Sequence, residues 1–96
     1  MKLMIDTSEI YTARIQIGEW KKVSESRVMR SQVVLPLIEE ILKEHNLSLR
    51  DITEISVVTG PGSFTGLRVG ATVANALGFL LDIPVNGKKA LVIPTY

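Results

Sequence analysis

The residues best suited to chemistry gather in one glycine-rich run, Gly60-Pro61-Gly62-Ser63-Phe64-Thr65-Gly66-Leu67-Arg68-Val69-Gly70. Between a strand and a helix, such a run offers unpaired backbone N–H groups that can hold an anion. It lacks the Gly-Lys-Ser/Thr ending of a Walker loop and the glycine spacing of a dinucleotide fingerprint. Ser63 or Thr65 can instead cap the helix. A structural turn is the favoured reading, with an anion site as the alternative. A two-metal nuclease would need clustered carboxylates. Asp6, with Glu39 or Glu40, supplies part of such a cluster. Where the third should stand, the chain has Thr59-Gly60, and Asp82 falls beyond the following helix. His45 is the sole histidine and there is no cysteine, so no typical nitrogen- and sulfur-rich metal site can assemble. Neither a metal nor a cofactor is expected. His45 reads as a solvated residue at a helix end, where a cation suits the dipole.

The bulk numbers narrow the class. With 96 residues the chain makes one domain, 1–96, and 46% apolar content with a net charge of +1 excludes disorder. A chain of this mass should keep about 5,500 Å² accessible, enough burial for a thin core. Lys21-Lys22 and Lys88-Lys89 are solvated pairs rather than a basic face, which argues against binding nucleic acid by charge alone. The N-terminal apolar run is too short for a signal peptide. Val69–Leu81 contains Thr72 and Asn75 and falls short of the ~20 residues of a membrane span. A soluble cytoplasmic protein without a membrane partner is expected.

The elements that must position these residues follow from periodicity. Leu3-Met4-Ile5 reads as a buried strand ending in the polar turn Asp6-Thr7-Ser8. Tyr11, Ala13, Ile15 and Ile17 alternate with polar residues, which predicts a strand with one buried face. Gly18-Glu19 turns into a third strand, roughly Trp20–Ser26. Val34, Leu37, Ile38, Ile41 and Leu42 then recur at helical spacing opposite Glu39, Glu40, Lys43 and Glu44, with Asn46 as the stop. Pro36 is tolerated only near the start of that helix. Ser48-Leu49-Arg50-Asp51 resembles a capping box. Ile55–Thr59, β-branched and uncharged, predicts a central strand buried on both faces. A second helix runs from about Phe64 to Leu81, and a last short strand lies near Pro84–Gly87. The order β-β-β-α-β-α-β gives an α/β mixed sheet with helices packed on it, the ribonuclease H-like fold that is also the half-unit of actin-like ATPases.

In the second helix, Gly66, Gly70, Ala74 and Gly78 form a small-residue stripe, which reads as close packing on the domain's own sheet. Over Ile55–Leu81 Arg68 is the only charge, so this helix looks buried on both sides and Arg68 should have a carboxylate partner in this chain or another.

The loop Gly60–Arg68 resembles the signature of the TsaB (YeaZ) proteins of the actin-like ATPase superfamily. Ile5-Asp6-Thr7-Ser8, Ser31-Gln32 before Leu35-Pro36-Leu37-Ile38, and Asp82-Ile83-Pro84 agree with it, over about residues 1 to 87. The resemblance implies a non-catalytic subunit in threonylcarbamoyladenosine modification of tRNA. It would pair with a TsaD-like catalytic subunit, with the ATPase TsaE in the wider complex, or with itself as a homodimer, and meet tRNA only indirectly. It implies that residues 1–96 correspond to the N-terminal half of a TsaB-like protein, with 88–96 as an atypical tail, and that Asp6-Thr7-Ser8 is a vestigial phosphate turn. Arg30 stands where many relatives carry histidine. Partner-binding candidates are Val34, Leu37, Ile38 and Ile41 on the first helix and Thr72, Asn75, Ala76 and Phe79 on the second. The alternatives are a TsaD-like or ribonuclease H-like catalytic protein, or a piece without independent function. A TsaD-like enzyme would carry a downstream histidine pair, which this sequence lacks.

Overall fold

Alternation becomes a sheet from the second residue onward. In the computed structural model, which describes residues 1–25 and 31–95, β1 (Lys2–Asp6) pairs antiparallel with β2 (Thr12–Ile17), placing Leu3 opposite Ile17 and Ile5 opposite Ile15. All of these side chains are buried, because a period of two sends every second residue to one face. A two-residue turn with Gly18 at φ 59° leads into β3 (Trp20–Glu25), and the left-handed backbone there favours glycine. β4 (Glu54–Val57) lies parallel to β1 on its other side, so the sheet order is β3-β2-β1-β4. Arg30, Tyr96 and the side chains of Ser31 and Gln32 lie outside the described residues.

Both helices pack on the same face of this sheet. α1 (Ser31–Glu44) covers β2 and β3, and α2 (Phe64–Leu81) covers β1 and β4. The enclosed core is Leu3, Ile5, Ala13, Ile15, Ile17, Ile55 and Val57 from the sheet against Val34, Ile38, Ile41, Val73, Ala74 and Leu77 from the helices. Pro36 sits on the exposed side of α1 in its second turn, where water can satisfy the carbonyl it leaves unpaired. Asn46, at φ 54°, follows the helix end, and the Asp51 carboxylate accepts from the Ser48 N–H at 2.8 Å to start a 3-10 turn, Leu49–Asp51.

Two expectations are corrected here. β4 is not buried on both faces: Ile55 and Val57 are buried, but Ser56 is half-buried and its neighbour Met4 is exposed. With both helices on one side, the other face keeps Met4, Arg14, Gln16 and Val23 in contact with water, and the chain exposes 5942 Å², above the single-domain expectation. The last strand shrinks to a single bridge, Val85 beside Ile55. Pro84 has no N–H to donate, and after Val85 the chain turns back at Asn86 and Gly87. Asn86 completes the edge with its side chain: Oδ1 accepts from the Val57 N–H at 2.9 Å and Nδ2 donates to the Val57 carbonyl at 3.0 Å.

Candidate functional site

The signature loop and the Asp6-Thr7-Ser8 turn meet at the N-terminus of α2 and are largely spent on each other. Ser63 is the cap: its Oγ accepts from the Gly66 N–H at 3.3 Å, while its own N–H donates to the Ser8 carbonyl at 2.7 Å. Thr7 is fully buried and its hydroxyl donates to the Gly66 carbonyl at 2.6 Å. Asp6 accepts from the Ser8 N–H at 3.0 Å and from the Ser8 hydroxyl at 2.6 Å. Thr65 faces solvent rather than capping. A Cβ at Gly66 would run into the Thr7 carbonyl, and one at Gly70 into the Thr7 hydroxyl. The small-residue stripe therefore serves close contact within this domain, with Thr7 just after β1 and, at Gly78, with Val85. Pro61, joined to Gly60 by a cis peptide bond, and Gly62 form the exposed tip, with Gly62 packed on Ser8. Leu67 is buried beneath the loop.

The partner-binding candidates separate by helix. Val34, Leu37, Ile38 and Ile41 do not form an outer surface: all four are buried in the core, Ile41 being 1% exposed. The reason is the charge on the opposite side of α1, where Glu39, Glu40, Lys43 and Glu44 face water and the apolar side must face the sheet. Thr72, Ala76 and Phe79 do lie outward on α2, with Phe79 89% exposed. Leu80, 71% exposed, extends the same side and was not among the candidates. Asn75 is already engaged within the chain, its amide bonded to the backbone of Val92. So α2 is buried on one side only. Its other side is apolar and carries one charge, Arg68.

Among the described residues Arg68 meets no carboxylate. Its guanidinium sits 5.4 Å from the centre of the Phe64 ring. With Phe64, Thr65, Val69 and Thr72 it lines a shallow concavity of about 300 Å³. A deeper groove of about 430 Å³ lies between the C-terminal half of α2 and residues 88–91, with Asn75, Phe79 and Leu91 on its walls. By length and composition α2 could cross a bilayer. Its glycine side is packed on the sheet, as in the core helix of a globular domain.

Catalytic groups do not converge. No three of Asp, Glu and His come together among the described residues. Glu40 and Glu44 hold Lys22 at 3.3 and 2.9 Å, raising that ammonium above its ordinary pKa, with the Glu44 hydrogen bond the largest cause. Asp82 ends α2 in a left-handed conformation and pairs with Lys89 at 3.4 Å. His45 is half-buried rather than solvated: its ring stacks on Trp20 with centroids 3.6 Å apart, and its Nδ1 lies 2.9 Å from the Ile41 carbonyl.

Comparison with known proteins adds relatives to this geometry. Residues 27–91 match the family TsaD, described as tRNA N6-adenosine threonylcarbamoyltransferase. The chain is 38% identical over 86 residues to the tRNA threonylcarbamoyladenosine biosynthesis protein TsaB of Haemophilus influenzae, covering 86% of this chain and 36% of that protein. It is 44% identical over 72 residues to the tRNA N6-adenosine threonylcarbamoyltransferase of Nitrosospira multiformis, covering 73% of this chain and 21% of that one. Among solved structures, YeaZ from Pseudomonas aeruginosa superposes with a TM-score of 0.71 at 28% identity, covering 88% of this chain and 40% of that chain. The chain thus spans well under half the length of each of these relatives.

Proposed function

The chain belongs to the TsaD family, on its TsaB (YeaZ) side, and from that premise we propose that it is a non-catalytic binding subunit in threonylcarbamoyladenosine modification of tRNA. The observation that carries the reading is the outer side of α2: Ala76, Phe79 and Leu80, beside the uncharged Thr72, present a largely apolar stripe with Arg68 as its single charge. Contiguous apolar surface of this kind on a small domain is typical of a protein–protein contact. Its partner in this reading is a TsaD-like catalytic subunit, with TsaE in the wider assembly and a second copy of the chain when no other subunit is present. Transfer RNA is met through the assembly, and the work is cytoplasmic.

The chemistry of the site supports a binding role. Asp6, Thr7 and Ser8 are tied to one another and to α2, and the Gly60–Gly70 loop has no lysine to pair with phosphate. ATP binding by this chain is therefore expected to be weak or nil. Light scattering of the chain alone and mixed with a TsaD-like subunit tests the proposal. A mixed species that disappears when Phe79 is replaced by Asp, with the far-UV spectrum unchanged, supports it; a monomer indifferent to the added subunit refutes it.

The 44% identity to a named transferase supports a second reading, a catalytic protein of the TsaD type. Transfer of the threonylcarbamoyl group to tRNA by this chain without a second subunit would favour it.

A further inference from the structure

Beyond the two-residue turn of Asn86 and Gly87, residues 88–95 run along α2 as a strap. Asn75 fixes it at one residue: Nδ2 donates to the Val92 carbonyl and Oδ1 accepts from the Val92 N–H, each at 2.9 Å. At the far end the Thr95 N–H donates to the Thr59 carbonyl at 2.7 Å. So held, the strap sets Leu91, 77% exposed, in the same groove as Phe79. It brings charge to this side of α2 as well. Lys88 and Lys89 both line the groove, where the one acid is Asp82, already paired with Lys89 at 3.4 Å. Lys88 makes no ion pair among the described residues. Toward the other end of α2, Arg68 stands in line with Thr72, Ala76 and Leu80 at four-residue spacing. It too is without a carboxylate among the described residues. The apolar centre of Phe79, Leu80 and Leu91 is thus flanked by cations at both ends.

We infer that the partner docked on this face is a protein presenting carboxylates at both ends of an apolar strip, and that the same cations work against a second copy seated face to face. The inference rests on the docking role proposed above and adds the chemistry of the partner. A surface closing over Arg68 and Lys88 strips water from two unpaired charges, which is costly unless opposing carboxylates replace that water. A second copy cannot supply them from the same face. In a two-fold contact that face meets itself, so Arg68, Lys88 and Lys89 meet only cations and the paired Asp82. The outward side of α1 does carry carboxylates, Glu39, Glu40 and Glu44. Its one large exposed apolar side chain among the described residues is Leu35, so it offers no strip to cover Phe79 and Leu80. A nucleic acid would satisfy the cations with phosphate and leave Leu80 and Leu91 uncovered between them.

Ionic strength tests this without any variant. Binding of the chain to a TsaD-like subunit, and of the chain to itself, is measured at about 0.1 M and about 1 M salt, over which the screening length falls from about 10 Å to about 3 Å. The mixed pair should weaken about tenfold as salt rises, while self-association should be absent, hold or strengthen. Arg68→Glu combined with Lys88→Glu, its fold checked by the far-UV spectrum, should weaken the mixed pair at low salt about tenfold or more and turn its salt dependence round. A mixed pair equally tight at both salts, or unmoved by the double reversal, would overturn the inference and leave the docking of α2 intact. Self-association that weakens with salt as steeply as the mixed pair would overturn it too, because the cations would then be meeting acids of a second copy. Binding of tRNA by the chain alone, lost in the double variant, would assign the cations to phosphate and overturn it as well. No mixed species at either salt removes the docking role and this inference together.

Discussion

The two helices cover the same face of the same sheet, yet only one of them has a finished outer side. α1 turns Val34, Leu37, Ile38, Ile41 and Leu42 into the core and carries Glu39, Glu40, Lys43 and Glu44 outward, two of them tied to Lys22 of β3. α2 packs a stripe of glycine and alanine against β1 and Val85, then presents Phe79 and Leu80 to water with no charge but Arg68. An amphipathic helix is complete in a single domain, whereas one apolar on both sides asks for a second surface. The difference teaches where association should occur. It also separates residues that matter for folding from those that matter only for pairing.

Paired substitutions break or sharpen this contrast. The largest effect is expected at Ile41 of α1: Ile41→Ala should cost about 2–5 kcal/mol in urea unfolding, because the side chain is enclosed and its cavity cannot fill. On α2, Phe79→Asp should change stability by roughly 0.5 kcal/mol or less, yet abolish pairing. Equal destabilisation by the two changes would mean that Phe79 is not a free surface residue, and the contrast would fail.

An intermediate effect is expected where α2 is tied to the turn that follows β1. Thr7→Val removes a buried donor to the Gly66 carbonyl and should cost about 1–3 kcal/mol. A neutral result would show that this hydrogen bond adds nothing to the core and glycine contacts that hold α2 on the sheet.

The smallest effect concerns the ion pairs of α1. Lys22 is held by Glu44 and Glu40 and its pKa is raised above the ordinary 10.5, so this contribution is complete below that value. It is lost as pH rises through the raised folded-state value. Denaturation of the native chain on either side of that window should show a slight loss of stability, and Lys22→Met should remove the dependence. A Lys22→Met chain that retained the same pH profile would show that the charged side of α1 owes nothing to this pair.

Much of this was legible in the residues. The alternation from Tyr11 to Ile17 set β2 and the buried face of Ala13, Ile15 and Ile17, although Tyr11, at φ 64°, stays 47% exposed before the strand begins. Glu39 to Glu44 marked the outward side of α1, a signal at odds with Val34, Leu37, Ile38 and Ile41 as partner-binding residues. The sides of α2 were harder, because hydrophobicity alone does not distinguish a side that meets a sheet from one that meets nothing. The small-residue stripe was the usable signal: glycine admits backbone contact, and its side proved to be the packed one. Confinement of both helices to one face was not legible, since a run such as Ile55–Thr59 looks alike at a sheet's centre and beside its last bridge. The strap was missed for another reason. Asn86-Gly87 is a strong signal for a two-residue turn, and it was absorbed into an expected strand. Asn75 gave no warning at all, because an asparagine within a helix says nothing about which distant backbone it will grip.

Asn86 carries a consequence for how this protein ages. An asparagine followed by glycine is chemically prone to lose its side-chain amide, through attack by the next peptide nitrogen, and becomes an acid. In the folded chain that amide is occupied on both sides by Val57. An acid there would set a carboxylate against the Val57 carbonyl in place of a donor, and the edge of β4 would not close as before. Those two bonds hold the amide away from the attacking nitrogen, so the reaction should run faster in molecules whose edge has opened. The slow appearance of aspartate and isoaspartate at position 86 in a stored sample should therefore report how often that edge comes apart.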